Sequence, residues 1–364
     1  MNFTISKEAL QPSLILLAGI AERRQTLPML SHVLVRLHEN QLTLIATDHE
    51  VQLVSTICLD QPGTSGEMTL PARKLLDICR SLPEHTNISI VQEEGQRAVL
   101  KAAKARFTLA NLPPEGFPMM EDAPGSVEFS AEQKVLPYLI ERTASAVAQN
   151  DARLYLNGLL LEVGDGYIRT VATDGHRLAL STHNASVNGP ITRVIIPRKS
   201  IIELAKLLGD NDEPASFSLA ANSIRVVMNQ YSYTSNLIDS NFPDYNLFLP
   251  AKSDISVEID PAALKALLQR SSILSPEHKV KFMLRPGKLL LLATNAEREE
   301  STDEIDIAYD GADIDIQLNS KYLLDGLSTV RVEPVRLTIA AGNKGVFIED
   351  GAEDSLYMVM AIRL

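Results

Sequence analysis

A chain of 364 residues is longer than one hydrophobic core normally organises, and domains of about 100–150 residues would divide it into three. With 45% apolar and 22% charged residues, no apolar run near the roughly 20 residues of a membrane span, and a start, Met1-Asn2-Phe3-Thr4, unlike a secretion signal, the composition excludes a membrane protein and predicts a cytoplasmic one. The formal charge of −12 argues against nucleic acid if it is evenly spread, and Cys58 and Cys79, both in apolar runs without ligand spacing, are expected to be buried thiols, with no metal and no cofactor.

In chain order, Phe3 to Ile5 predicts a short strand and Leu10 to Ala18 an apolar helix. Val33 to Leu37, Leu42 to Ala46, Val51 to Cys58, Glu67 to Leu70, Ile88 to Gln92, Ala98 to Ala103 and Arg106 to Ala110 alternate or run apolar between turn residues, as strands do. Between the fourth and fifth of these, Pro71 opens a second helix through Asp77. The opening pair then recurs twice: Val127 to Phe129 before Val135 to Val147, and Val257 to Ile259 before Leu264 to Leu274.

Recurrence at a fixed period is the strongest pattern in the chain. Leu44-Ile45-Ala46-Thr47-Asp48 reappears 126 positions later as Val171-Ala172-Thr173-Asp174 and, after 121 more, as Leu291-Leu292-Ala293-Thr294-Asn295. Each copy ends a β-like run: Gln41 to Ile45, Tyr167 to Val171 and Lys288 to Leu292. The second helices keep step, since Lys74, Lys199 and Lys321 stand 125 and 122 apart. Phe117-Pro118 and Phe242-Pro243 close the first two copies. A true repeat carries its neighbours along, so three copies of one α+β domain are expected, each with two helices packed on antiparallel sheet. Boundaries near Asp122 to Gly125 and Pro250 to Asp254 give domains 1–124, 125–252 and 253–364. Asp165-Gly166 and Asp174-Gly175 supply hairpin chemistry in the central copy.

The charge is not evenly spread. Six helical windows (6–19, 71–82, 131–149, 197–208, 261–274 and 319–330) together carry +6, which leaves −18 for the rest of a chain totalling −12. Arg73 with Lys74, and Arg198 with Lys199, sit just after the helix-starting prolines, where the helix dipole disfavours cations by roughly 0.3–1 kcal/mol each. An external phosphate would offset that cost. There is no tryptophan, no zinc-finger spacing and no aromatic stacking platform, so contact with nucleic acid should be to the backbone and blind to sequence.

The ends differ in sign: Arg97, Lys101, Lys104 and Arg106 in the first copy, Glu297, Glu299, Glu300, Asp303 and Glu304 in the third. Opposite charges on opposite ends, together with the open strand edges that terminal repeats leave, favour head-to-tail pairing of chains. An enzyme is the rival class, with Asp174 and His176 as an acid-base pair near Ser181. It is disfavoured because the other copies carry Glu50 and Glu297 in place of the histidine, and Gly-x-Ser-x-Gly, P-loop and His-Glu-x-x-His motifs are all missing.

The stretches Leu70 to Glu84, Thr170 to Leu180, Asn241 to Tyr245 and Met360 to Leu364, set in this triple repeat, closely resemble the bacterial DNA sliding clamp family, the β subunits of DNA polymerase III, over the whole chain. The resemblance implies a head-to-tail homodimer in which each chain forms half of a closed ring, with helices lining a channel for double-stranded DNA. It implies a processivity factor that is no enzyme and is opened by an ATP-driven clamp loader. The implied partners, bound through linear peptide motifs, are replicative and translesion polymerases, the loader, and mismatch-repair and ligase-type proteins.

Carried over position by position, the resemblance implies DNA contacts at Arg24, Arg73, Lys74, Arg80, Asn150, Arg153, Tyr155, Arg198 and Lys199. It implies a peptide pocket from Leu156, Thr173, Gly175, His176, Arg177, Leu178, Pro243, Phe248, Asn319, Tyr322, Val346, Met358, Met360, Ile362 and Arg363. It implies a subunit interface of Lys104, Arg106, Phe107 and Leu109 against Ile273, Leu274, Glu299, Glu300 and Glu304. Leu154, Asn246-Leu247, Phe248 and Ala361 depart from the residues common in the family.

Overall fold

The computed structural model describes residues 1–21, 27–121, 125–250, 255–342, 344–350 and 355–362. The first third of the chain contains β1 (Asn2–Ser6), α1 (Lys7–Ile20), β2 (His32–His38), β3 (Gln41–Thr47), β4 (Val51–Cys58), β5 (Gly66–Pro71), α2 (Ala72–Ser81), β6 (Asn87–Glu93), β7 (Arg97–Ala102) and β8 (Ala105–Ala110). The second contains β9 (Val127–Glu132), α3 (Val135–Thr143), β10 (Gly158–Gly164), β11 (Tyr167–Thr173), β12 (Arg177–Asn184), β13 (Thr192–Pro197), α4 (Arg198–Leu207), β14 (Pro214–Leu219), β15 (Ser223–Met228) and β16 (Tyr231–Asn236). The third contains β17 (Ile255–Ile259), α5 (Pro261–Ser271), β18 (Lys279–Arg285), β19 (Lys288–Thr294), β20 (Glu300–Asp306), β21 (Ile314–Asn319), α6 (Ser320–Leu327), β22 (Val335–Ile339), β23 (Gly345–Glu349) and β24 (Ser355–Met360).

Every third therefore runs strand, helix, four strands, helix, three strands, and pairs them alike. Its first strand lies beside the sixth, seventh and eighth; its fifth lies beside the second, third and fourth. In the first third this gives β1-β6-β7-β8 and β5-β2-β3-β4. All pairings are antiparallel. The first helix of each third lies on its third and fourth strands: α1 on β3 and β4, α3 on β11 and β12, α5 on β19 and β20.

The described chain forms two compact units, residues 1–134 with 202–237 and residues 135–201 with 238–364. Within the first unit β4 pairs with β16, making one eight-stranded sheet. Within the second, β12 pairs with β24 and makes another. In both cases the fourth strand of one repeat joins the eighth strand of the next. The fourth strand of the last repeat, β20, and the eighth strand of the first, β8, each end a four-stranded sheet.

The recurring Ala-Thr-Asp element proves to be a strand terminator with a built-in turn. Thr173 accepts a hydrogen bond from Gly175 N and donates to Arg177 O, while Asp174 Oδ1 accepts from the backbone of His176 and Arg177. Thr47 and Asp48 make the same bonds with His49, Glu50 and Val51. Such Asx geometry explains why the motif recurs. Asp165-Gly166, both at positive φ, forms the expected two-residue hairpin between Gly164 and Tyr167. Asp174-Gly175 does not: Thr173 pairs with Leu178, so the loop has four residues, with Gly175 alone at positive φ.

The Phe-Pro elements are plugs. Phe117 packs on Leu34 and Ile45, and Phe242 on the cluster containing Leu160 and Val171, the equivalent positions of β10 and β11. Two expectations need correction. Helix α3 stops at Thr143, where the side-chain hydroxyl donates back to Leu139 O, and only a 3-10 turn continues over Ala144–Ala146. Cys79 is buried, but Cys58 is exposed, because it ends β4 on the outward side of the alternation.

Candidate functional site

The second unit carries a cavity of about 530 Å³ lined by Gly175, His176, Asn319, Tyr322, Lys344, Met360, Ala361 and Ile362. Four parts of the chain build it: the turn leading into β12, the start of α6, the residue before β23, and the end of β24 with the two residues after it. Met360 N donates to His176 O, Ala361 N to Lys344 O and Ile362 N to Gln317 O, so the last residues are stitched in turn to each neighbour. Asn319 caps α6 by accepting from Tyr322 N, which fixes the helix start at the cavity wall.

Beneath the cavity Arg177, only 11% exposed, donates to Asp174 Oδ2 at 2.9 Å and to Asp325 Oδ2 at 2.5 Å, reaches the Tyr357 hydroxyl, and stacks on the Tyr322 ring at 4.3 Å. Burial alone would lower its pKa, yet the Tyr357 hydroxyl and the two carboxylates more than reverse that and raise it. Arg177 is thus a neutralised strut. Burial likewise pushes the Tyr357 hydroxyl up. The supposed acid-base pair is dismantled by the same bonds, since Asp174 is engaged by backbone and Arg177, and Ser181 is fully buried against Ser355.

Of the residues expected in the pocket, Gly175, His176, Asn319, Tyr322, Met360 and Ile362 line the cavity. Leu178 and Met358 are cross-strand partners in the apolar cluster against which Met360, Tyr155 and Phe242 pack. Leu156, Thr173 and Val346 are buried nearby in the chain's strands and turns, whereas Pro243 and Phe248 are exposed and do not line the cavity. Arg363 lies outside the described residues. Sequence reasoning missed Lys344 and Ala361. Strand register is the signal that finds them: Gly345 pairs with Met360, so the next rung outward is Lys344 opposite Ala361.

The residues expected to meet DNA fall into two kinds. Lys74, Arg80, Asn150 and Lys199 are exposed. Arg73 and Arg198 are half-buried and commit part of their guanidinium inward, Arg73 to Ala18 O at the end of α1 and Arg198 to Val147 O after α3. Arg153 forks onto Asp151 at 3.0 Å through both Nε and Nη2, and this bond holds the Asp151 carboxyl at about 2. A Cβ at Gly175 would stand 3.1 Å from Arg153 Nη2, so the loop packs on the cavity's turn. Tyr155 turns inward onto Phe242, and Leu154 is 62% exposed instead. Arg24 lies outside the described residues.

The residues expected at the subunit interface lie at the two terminal edges. On β8 and the turn before it, Lys104 and Arg106 are exposed, Phe107 is half-buried and Leu109 buried. Glu299, Glu300 and Glu304 are exposed on and before β20, and Ile273, at 78% exposure, stands out beside half-buried Leu274.

Three family descriptions match this chain in succession: the DNA polymerase III beta subunit N-terminal domain over residues 1–121, its central domain over 130–244 and its C-terminal domain over 247–363. The chain belongs to the DNA polymerase III beta subunit family. It is 45% identical over 368 residues to the beta sliding clamp of Pseudomonas putida, covering 100% of both chains. A crystal structure of the DNA polymerase III subunit beta from Pseudomonas aeruginosa matches at a TM-score of 0.97 with 43% identity, and one of that organism's sliding clamp bound to griselimycin at 0.95 with 44%, each covering 100% of both chains. The fold is the three-domain sliding-clamp fold, and the role of the family is processivity in DNA replication.

Proposed function

We propose that two copies of this chain close head to tail into a ring around duplex DNA, slide on it without reading sequence, and tether polymerases, the clamp loader and repair and ligase-type proteins by short peptides seated in the cavity beside Met360. One observation carries the ring. The joint between fourth and eighth strands occurs twice inside the chain, at β4-β16 and β12-β24, and leaves β20 and β8 as its unmatched halves. Pairing β20 of one protomer with β8 of its partner repeats that joint and removes every edge of this kind. Acidic Glu300 and Glu304 would then face basic Lys104 and Arg106, a complementarity that favours this order over like edges meeting.

Contact with DNA rests on Lys74, Arg80 and Lys199, and is made to phosphates. Such binding carries affinity that falls with salt and encodes no sequence, which suits a sliding surface. No bond is made or broken in this reading, since Asp174 is engaged by backbone and by Arg177, and Ser181 by Ser355, which leaves His176 without an acid-base partner set. The clamp acts by topology, and the peptide cavity converts that topology into local concentration of its partners.

The test is retention on closed circular DNA after loading, followed by gel filtration. Lys74→Glu combined with Lys199→Glu should shorten retention and flatten its salt dependence by about 0.9 in log-log slope for every phosphate that is no longer neutralised, while sedimentation still reports a dimer. Unchanged retention and slope would remove these lysines from the DNA-facing surface.

A further inference from the structure

The cavity's chemistry is more specific than an apolar groove. Its floor is the end of β24, Met360, Ala361 and Ile362, and its walls are Tyr322, Asn319 and the Gly175-His176 turn. Among the described residues no carboxylate lines it: Asp174 and Asp325 are instead held by Arg177. Among the described residues that leaves Lys344 as the fixed charge at the rim. It is exposed, its carbonyl is tied to Ala361 N, and among the described residues it has no ion-pair partner. The rest of the molecule is acidic, at −12, and repels an anionic segment, so a cation placed at this cavity marks where one can be accepted.

We propose that Lys344 makes the cavity selective for peptides that carry a carboxylate side chain beside their apolar anchors. This rests on the peptide-pocket reading above and deepens it: the apolar floor supplies affinity and Lys344 supplies discrimination. An ammonium on a flexible stem can follow a carboxylate over several ångströms, and a partly enclosed rim screens the pair less than open solvent does. The partner class is therefore acidic-apolar, and a basic-apolar segment is rejected by charge.

The probes are N-acetylated, C-amidated hexapeptides of two leucines, one phenylalanine and alanines, with aspartate or asparagine scanned through one variable position, read by fluorescence polarisation. At low salt the full-length protein should bind the best aspartate peptide about three- to tenfold more tightly than its asparagine twin, and the ratio should shrink as salt is raised. Lys344→Ala should bring the ratio to one, and Lys344→Glu should invert it. Equal binding of the twins at every position, or a ratio that survives Lys344→Ala, overturns the assignment of Lys344. Met360→Asp separates this from the underlying reading. If both twins bind equally and Met360→Asp abolishes both, the pocket stands and Lys344 falls; if neither twin binds, or both still bind the Met360 variant, the pocket reading falls and the Lys344 proposal with it.

Discussion

Replacing Ile273 and Leu274 by alanine tests the proposed joint where it is most exposed. Ile273 shows 78% of its surface to solvent on the 3-10 turn after α5, and α5 packs on the edge strand β20. Burying a whole isoleucine side chain contributes about 1.5–3 kcal/mol, and alanine keeps roughly a third of that, so the Ile273 change should cost about 1–1.5 kcal/mol at one interface. Leu274 is already half-buried and adds about half as much again. A two-chain ring has two such interfaces too far apart to share partners, so the losses add to about 3–4 kcal/mol, or roughly two to three decades in the dimer dissociation constant. Sedimentation velocity over a dilution series reads this directly, with circular dichroism confirming that the chain remains folded. A midpoint that moves by less than about threefold, below 1 kcal/mol, would mean that the turn after α5 lies outside the interface, and β20 would lose its claim to pair with β8.

Two further outcomes follow from the second unit. Arg142 on α3 donates to Asp350 at 2.7 Å with 5% and 3% of the two side chains exposed, so Arg142→Met, which strands a buried carboxylate without its arginine, should lower stability by about 3–5 kcal/mol. Adding Asp350→Leu should restore most of it, and chemical denaturation would show the reasoning wrong if the double variant were no better than the single. The Asp151 carboxyl should titrate near 2 by carbon NMR because Arg153 bonds its charged form. Its folded pKa lies below the ordinary 3.8, so the fork persists at all higher pH and is lost only as pH falls through about 2. In Arg153→Ala the midpoint should climb back toward 3.8, and a midpoint that stays near 2 would assign the shift to the backbone instead.

Periodicity made the repeat legible: strands predicted from Val33 to Ala110 fall within a residue or two of those observed, because each alternates or runs apolar between turn residues. Pairing across repeats was not legible. Nothing in Val51 to Cys58 or Tyr231 to Asn236 taken alone says that they lie side by side, since strand partners are chosen by the whole sheet. The cavity was half legible. Met360 and Ile362 stood out as apolar residues in the last stretch of the chain, but Lys344 reaches the rim only through the β23-β24 register, and Leu178 and Met358, apolar in the same way, are buried in the core cluster against which Met360 packs. Cys58 failed for the same reason of phase, as an apolar run does not say which of its members faces out.

The paired cations at the helix starts divide their work. Arg73 reaches the carbonyl end of α1, where a cation is favoured, and Arg198 reaches the end of the 3-10 turn that follows α3, so each ties the second helix of its repeat to the end of the first helical segment. In the third repeat the arginine position is Ser320, and the joint is kept by a hydrogen bond of 2.7 Å from Ser272, at the end of α5, to the Ser320 hydroxyl. The constant element is the bond between helix end and helix start, whatever residue makes it, and this is a requirement of the fold. The adjacent Lys74, Lys199 and Lys321 are exposed in all three repeats. In the proposed ring, a phosphate backbone would account for their sign, their spacing and the lack of base-reading side chains together. Counting every helix-start cation as a DNA ligand therefore overstates the attraction. With the arginines bonded inward, the proposed lining would hold the duplex through fewer cations, in keeping with a clamp that must slide.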